Sequence, residues 1–182
     1  VEDPWRVVMS TDHPNGGSFM AYPQIIRLLM DSTYRNDVLR SVHPDVMSRC
    51  VLGDIDREYT LNEICIITRA GPAKILGLKH KGHLGVGADA DITIYSPHEN
   101  KEVMFEMPRY VIKSGEILID ECELKQQTFG KTLHVAPAYD VEVEADIADW
   151  FEQYYTVQFR NYPISDDYLH DSELVDCNEK ES

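Results

Sequence analysis

Residues 67–78 read ITRAGPAKILGL, and residues 81–94 read KGHLGVGADADITI. In the first stretch, Gly71-Pro72 predicts the end of a helix, because proline cannot continue the hydrogen-bonding pattern. Pro72 also suits the first position of a second short helix, and Gly77 suits its C-terminal stop. The second stretch ends in an alternation of apolar and polar residues, which is typical of a β-strand. A helical region is therefore expected before residue 80 and a β-rich region after it.

Upstream of these stretches the apolar spacing is helical. Residues 22–31 carry enough apolar side chains at this spacing to predict a short packed helix, and further helical turns are expected at 36–40 and 44–50. Thr60 and Glu63 have the spacing of a capping box, which predicts a helix start.

Downstream, alternating patterns predict strands over residues 91–95, 104–112 and 115–119, with one more half-exposed strand around Val141 and Val143. A helix follows. Its apolar residues recur at i, i+3, i+4 and i+7, which predicts an aromatic stripe packed into a core. These residues are Ile147, Trp150, Phe151 and Tyr154.

The motif TDHPNGGSF at residues 11–19 has the strongest chemical character in the chain. It follows the apolar run Trp5–Met9, so Asp12 is expected where a buried strand gives way to a glycine-rich loop. Such a strand would fix the position of the carboxylate. Because the chain starts close to this motif, we interpret it as the C-terminal piece of an enzyme whose site is completed by other residues.

Composition and charge exclude several classes of protein. The net charge of −15 argues against nucleic-acid binding, which needs a positive surface. No apolar stretch reaches the roughly 18 residues of a membrane span, and no signal-peptide pattern is present. The four cysteines show no C-x-x-C spacing, and a metal site at the His80/His83 pair is not favoured. A cytoplasmic protein is expected.

The stretches at 67–78 and 81–94 resemble the C-terminal signature of the amidohydrolase superfamily. The resemblance implies an α/β protein: the C-terminal end of a TIM-type (β/α)8 metal-dependent barrel, a small composite β-sandwich and a C-terminal α/β extension. Within the signature, Gly85 and Gly87 are expected to supply turn conformations. Asp89 and Asp91 are expected to hydrogen-bond loop backbone, which is a structural role.

A narrower resemblance is carried by residues 10–17, 21–26 and 155–165. These segments are similar to the family of amidohydrolase-type subunits found in formylmethanofuran dehydrogenases and in bacterial formyltransferase/hydrolase complexes. That family interconverts N-formylmethanofuran with methanofuran, its C1 carrier, and formate at a dinuclear zinc centre, while another subunit interconverts formate and carbon dioxide. The resemblance places Asp12 at the end of the eighth barrel strand, as a metal contact and as the catalytic group that handles the proton of metal-bound water.

The remaining zinc ligands of the family are an H-x-H pair, a carboxylated lysine and two further histidines. No H-x-H occurs among the seven histidines of this chain. We therefore expect these ligands in an N-terminal remainder of the same subunit, other subunits as further partners, and no activity from this piece alone. His13 and Asn15 lie on the same loop and could bind substrate, orient Asp12 or cap their own turn.

The implied domain organisation has four parts. Residues 1–78 would contribute the last strand and helices of the barrel, 79–135 the β-sandwich, and 136–170 the C-terminal extension. Residues 171–182 are expected to form an acidic, disordered tail.

Two other functions stay open. A cyclic amidohydrolase of the dihydroorotase or hydantoinase type shares the signature, although the Asp12 loop and the long tail suit it poorly. A non-catalytic docking module of a larger complex is the second alternative, and the aromatic-rich tail supports it.

Overall fold

The computed structural model describes residues 3–163, 166–169 and 171–175. The chain packs as two compact units, Val1–Thr128 and Phe129–Ser182. The domain boundaries expected after residues 78, 135 and 170 stay predictions. Among the helices in the described part of the chain, none is long and apolar enough to cross a membrane.

The first unit contains three α-helices in the regions predicted to be helical, although the turn expected at 44–50 ends at Met47. They are α1 (Tyr22–Met30), α2 (Ser32–Ser41) and α3 (Pro44–Met47). α1 follows a 3-10 turn at Phe19–Ala21. Asp31 ends α1 and caps α2, since its side chain accepts a hydrogen bond from the Tyr34 N–H at 2.8 Å.

The predicted capping box is confirmed and starts a longer helical segment. The Glu63 N–H donates to Thr60 Oγ1, and the Thr60 N–H donates to Glu63 Oε2, at 3.3 and 2.9 Å. The segment runs through α4 (Leu61–Cys65), a π-helical turn (Ile66–Ala70) and α5 (Gly71–Ile75).

The predicted helix stop at Gly71-Pro72 is wrong, because the π turn carries the helix past the proline. The Gly71 N–H donates to the Ile66 carbonyl five residues earlier, and a Cβ on Gly71 would lie only 2.8 Å from that oxygen. Pro72 then falls in the first turn of α5, the position predicted for it. The stop predicted at Gly77 is confirmed, with φ at +71° and its N–H bonded to the Lys74 carbonyl at 3.2 Å.

The core of the first unit is small. Ile26 of α1 packs with Ile64 and Ile67 of the long helical segment, and all three are buried. Partly buried apolar side chains surround them, including Met9 and Phe105.

A four-stranded antiparallel sheet follows in the order β1-β2-β3-β4. Its strands are β1 (Ile92–Ile94), β2 (Tyr110–Lys113), β3 (Glu116–Asp120) and β4 (Glu123–Leu124). The turn predicted before β3 is present, with Ser114 and Gly115 both at positive φ. The strands expected over 91–95 and 115–119 are confirmed.

The strand predicted over residues 104–112 is wrong in its first half. Helix α6 (Lys101–Glu106) occupies that region because Asn100 caps it, its Oδ1 accepting from the Glu102 N–H at 2.9 Å. α6 packs on α1, and Arg27 reaches Glu102 at 3.2 Å. This tertiary contact overrides the local strand preference.

The strand predicted before Asp12 is also not formed. Pro4–Arg6 make a 3-10 turn, and residues 7–10 follow without a strand ladder. In the described part of the chain, the Met9 N–H bonds the Ile67 carbonyl of the helical segment at 3.1 Å rather than a neighbouring strand. A strand requires such a neighbour, and these residues do not have one here.

The described part of the second unit contains two parallel strands and one long helix. β5 (Thr132–His134) pairs with β6 (Ser172–Leu174), and α7 spans Val143–Tyr154. The strand predicted at Val141 and Val143 is wrong, since Val143 begins α7. The tail expected to be disordered forms β6 in its first part, and its residues 176–182 lie outside the described residues.

The helix predicted around Trp150 is confirmed, but the prediction that its aromatic stripe is buried is wrong. No residue of α7 is buried, and Trp150 and Tyr154 are 51% and 63% exposed. The aromatic stripe therefore does not form the core that its spacing predicts.

Candidate active site

The loop that carries Asp12 is held by short-range backbone contacts. Asp12 itself adopts the left-handed region, with φ at +50°. Its N–H donates to Ser10 Oγ at 3.3 Å, and its carbonyl accepts from the Gly16 N–H at 2.8 Å. A positive φ is uncommon for a residue other than glycine, and aspartate tolerates it better than most. These contacts fix the Asp12 backbone in this unusual conformation.

The Asp12 carboxylate is exposed and available. Among residues 3–163, 166–169 and 171–175, none makes a hydrogen bond or ion pair with it. A carboxylate held by its backbone but free at its oxygens can accept a proton or bind a cation.

Gly16 lies against Asp12. A Cβ on Gly16 would stand 2.9 Å from the Asp12 Cβ and 2.9 Å from the Thr11 carbonyl oxygen, distances that real side chains do not show. Glycine is therefore required at this position for the loop to keep its present path.

His13 and Asn15 are both exposed on the same loop. The His13 ring packs edge-on against Phe19, with 4.7 Å between ring centroids. The loop thus brings all three predicted site residues to one exposed segment. Sequence reasoning did not predict the contacts that Ser10, Gly16 and Phe19 make within the loop. The S-x-D spacing of Ser10 and Asp12 is the one signal that could have indicated the first of them.

A cavity of about 380 Å³ lies beside the end of this loop, within the first unit. Phe19 and Met20 contribute to its wall, together with Tyr22 of α1 and Phe105 of α6. Arg69, from the π turn, is a charged group in its lining. Because Phe19 contacts both the cavity and His13, the loop and the cavity share one wall.

The aspartates of the signature have structural partners. Asp91 Oδ1 accepts from the Ser114 N–H at 2.8 Å, and its Oδ2 bonds Lys81 and Lys113 at 2.8 and 2.7 Å. Partial burial opposes ionisation of Asp91, but these hydrogen bonds outweigh it and hold its pKa well below the usual range. The cluster ties the loop after Lys81 to the β2–β3 turn.

Asp89 differs from its prediction, because its side chain bonds Lys81 at 2.7 Å rather than loop backbone. That hydrogen bond lowers the pKa of Asp89 and, with Asp91, raises the pKa of Lys81. Gly87 has a positive φ of +85°, as expected for its turn, whereas Gly85 does not.

The histidine pair at 80 and 83 bonds backbone. His80 Nδ1 lies 2.9 Å from the Gly87 carbonyl oxygen, and His83 Nε2 lies 3.0 Å from that of Lys79. Within the described residues, no group of three or more histidine, cysteine or acidic side chains is arranged to hold a metal ion.

Residues 1–119 match the amidohydrolase family, and the chain belongs to that family. The relatives that match most of the chain come from a narrower group of proteins within the family. Protein FwdA of Methanocaldococcus jannaschii is 41% identical over an alignment of 182 residues, which covers 93% of this chain and 32% of that protein. The FhcA component of the formyltransferase/hydrolase complex Fhc of Methylorubrum extorquens is 40% identical, over 86% of this chain and 28% of that protein.

A solved structure supports the same relationship. The chain is similar, with a TM-score of 0.74 and 33% identity, to a chain in the crystal structure of the Methylorubrum extorquens FhcABCD complex with methylofuran. The match covers 96% of this chain and 33% of that one. This chain therefore spans about a third of the length of the relatives it matches.

A dihydroorotase of Halobacterium salinarum is also similar, but over a much shorter part. It is 35% identical over 46 residues, or 25% of this chain. This likeness reflects the family and does not extend to most of the chain.

Proposed function

We propose that this chain is the C-terminal part of a formyl-amide hydrolase/synthase subunit, which interconverts N-formylmethanofuran with methanofuran and formate. The proposal rests on the similarity to FwdA and FhcA over 93% and 86% of the chain. The methylofuran bound in the similar complex supports a furan-type C1 carrier as the substrate class. In the cell, the subunit would work in a complex in which another subunit interconverts formate and carbon dioxide.

Asp12 is the proposed catalytic residue of the reaction. In hydrolysis, water adds to the formyl carbon, and an oxygen of the Asp12 carboxylate accepts the proton that the water loses. The same carboxyl then delivers the proton to the amine nitrogen as the C–N bond breaks, which leaves formate and the free amine. Its exposed oxygens and its fixed backbone suit this exchange.

The zinc centre implied by the family would use Asp12 as one ligand. The carboxylate fits this role, because it is exposed and has no ion pair in the described part of the chain. Bound zinc would polarise the formyl carbonyl and make water a better nucleophile at neutral pH. Further ligands would come from the N-terminal remainder of the subunit.

His13 and Asn15 are proposed to contact substrate beside Asp12. Both are exposed at the loop, and the Phe19 contact orients the His13 ring. Replacing either by alanine is expected to raise the KM for the formyl amide more than it lowers kcat, since each would act in binding.

Substrate profiling of the complete subunit tests the proposal. We expect release of formate from N-formylmethanofuran or an N-formylfurfurylamine analogue, and no turnover of dihydroorotate or hydantoin. Turnover of the cyclic amides without the formyl amides would instead favour the cyclic amidohydrolase. No turnover of either class by a correctly folded, zinc-loaded subunit would favour a docking module and contradict the proposal.

A further inference from the structure

An exposed apolar surface follows one side of α7 in the second unit. Val143, Ile147, Trp150 and Tyr154 are 41%, 39%, 51% and 63% exposed, and they recur at helical spacing. They form a continuous stripe along the helix, which we call the α7 stripe. Exposed aromatic patches of this kind mark sites of protein–protein contact more often than scattered apolar residues do.

A cluster of aromatic rings lies beside the stripe and contacts it. Phe151 is only partly exposed and stacks on Tyr155 with 4.6 Å between ring centroids, and it also contacts Phe159 and Tyr162. Trp150 lies 5.5 and 5.6 Å from the rings of Tyr154 and Tyr155. Rigid aromatic side chains lose little conformational entropy when a partner covers them.

The charges beside the stripe restrict what can cover it. At 100° per residue, Glu144 and Asp146 lie on opposite flanks of the stripe, roughly 80° from its centre. α7 carries two further acidic residues, Asp149 and Glu152, on its far side and no basic residue. A second copy of this helix would set carboxylates against carboxylates, which disfavours self-association through the stripe.

We propose that the α7 stripe docks a basic, apolar-centred surface on another subunit of the complex. The partner surface would insert apolar side chains against Trp150 and Tyr154 and place lysine or arginine side chains opposite Glu144 and Asp146. This inference rests on the proposed membership of a multisubunit enzyme. The acidic flanks would speed association and select the partner, while the aromatic centre would supply most of the affinity.

Two pairs of variants test the docking surface in the complete subunit, co-expressed with the other subunits of its complex. Asp146→Lys reverses a flanking charge, and Glu152→Lys makes the same change on the far side of α7 as a matched control. Tyr154→Ala removes a stripe ring, and Tyr168→Ala removes another ring of the second unit that is 78% exposed. Circular dichroism of each variant confirms that α7 still forms.

We expect Asp146→Lys and Tyr154→Ala to weaken assembly about tenfold or more by quantitative native mass spectrometry, with both controls within about threefold of wild type. In wild type, hydrogen exchange of residues 143–154 should slow when the other subunits join. Equal assembly of stripe and control variants would overturn the proposal. So would protection of these amides in the free subunit to the level of the complex, which would mean that its own polypeptide covers the stripe.

Formyl-amide turnover measured in the same samples separates this inference from the proposed function. A free subunit that hydrolyses the formyl amide but assembles equally well with every variant overturns the docking surface alone. A wild-type subunit that assembles through α7 without any turnover contradicts the proposed function and leaves the docking surface supported.

Discussion

The backbone of Gly16 lies against the side chain of Asp12, so close that a Cβ at position 16 would stand 2.9 Å from the Asp12 Cβ. The Gly16 N–H also donates to the Asp12 carbonyl at 2.8 Å. Position 16 therefore controls where the Asp12 carboxylate lies. Gly17, the next residue, has more space, since its nearest neighbour would be the Thr11 carbonyl oxygen at 3.6 Å.

Gly16→Ala is expected to lower kcat for formyl-amide hydrolysis by about tenfold or more, because the loop must shift and carries Asp12 with it. Gly17→Ala is the matched control and should stay within about threefold of wild type. Steady-state kinetics on the complete subunit measures both. Equal effects of the two substitutions would show that Gly16 does not position the carboxylate.

The sequence predicted much of the local structure where one residue type dictates the geometry. Thr60 and Glu63 form their capping box, and Gly77 ends its helix, because these features depend on residues three or four positions apart. The sequence-based prediction failed where a contact with a distant part of the chain determines the local structure. The helix continues through the π turn into α5, which contains Pro72. Helix α6 forms where a strand was expected, because Asn100 caps it and α1 packs on it.

For the candidate site, the sequence located Asp12, His13 and Asn15 but not the contacts that hold them. The positive φ of Asp12 and its closeness to Gly16 follow from the path of the loop. The spacing of apolar residues in the sequence does not predict that path. The strand expected before Asp12 did not form, because a strand needs a neighbouring strand to pair with. In the described part of the chain, the Met9 N–H instead bonds the Ile67 carbonyl of the helical segment. The burial of Arg35 was not predicted either, because an arginine in a helix is usually exposed and only the tertiary structure shows that this one is buried.

Arg35 is 5% exposed and donates to three backbone carbonyls, those of Leu28, Ile55 and Arg57, at 2.7 to 3.2 Å. Arg35→Ala leaves these acceptors without their donor and is expected to lower the free energy of unfolding by about 2–4 kcal/mol. Urea unfolding followed by circular dichroism measures the change.

Arg40, on the same helix, provides the control. Its side chain is 77% exposed and pairs with Asp37 at the surface, so Arg40→Ala should cost less than about 1 kcal/mol. A smaller loss for Arg35→Ala than for Arg40→Ala would contradict the anchoring role of the buried guanidinium.

The Asp91 cluster predicts a pH dependence of stability. Hydrogen bonds from Lys113, Lys81 and the Ser114 N–H lower the pKa of Asp91 in the folded protein, although partial burial opposes them. Its unfolded pKa is about 3.9. The folded state therefore gains stability from Asp91 above pH 4 and loses it progressively as the pH falls below that value.

Asp91→Asn should consequently destabilise the protein at pH 7 and differ less from wild type at pH 3, as measured by thermal unfolding across this range. Asp89→Asn, which removes a single lysine contact, should show a smaller effect at pH 7. A destabilisation by Asp91→Asn that is constant with pH would contradict the assignment to the ionised carboxylate.

Metal content gives an independent prediction. Among the described residues, Asp12 does not belong to a group of three or more possible metal ligands. A structural or catalytic zinc site needs about three or four protein ligands. The 182-residue chain expressed alone is therefore expected to hold no stoichiometric zinc after desalting, by elemental analysis. One or two tightly bound ions would show that the metal site lies elsewhere in this chain.

The most direct measurement is formyl-amide hydrolysis by the complete, zinc-loaded subunit carrying Asp12→Asn, with Asp56→Asn as a control at another exposed aspartate. The asparagine keeps the shape of the side chain and the loop but cannot take the proton from water. We expect the variant to retain its fold and metal and to lose a hundred-fold or more in kcat, on the order of a general-base contribution. Activity within about threefold of wild type would contradict the role of Asp12 and, with it, the central claim.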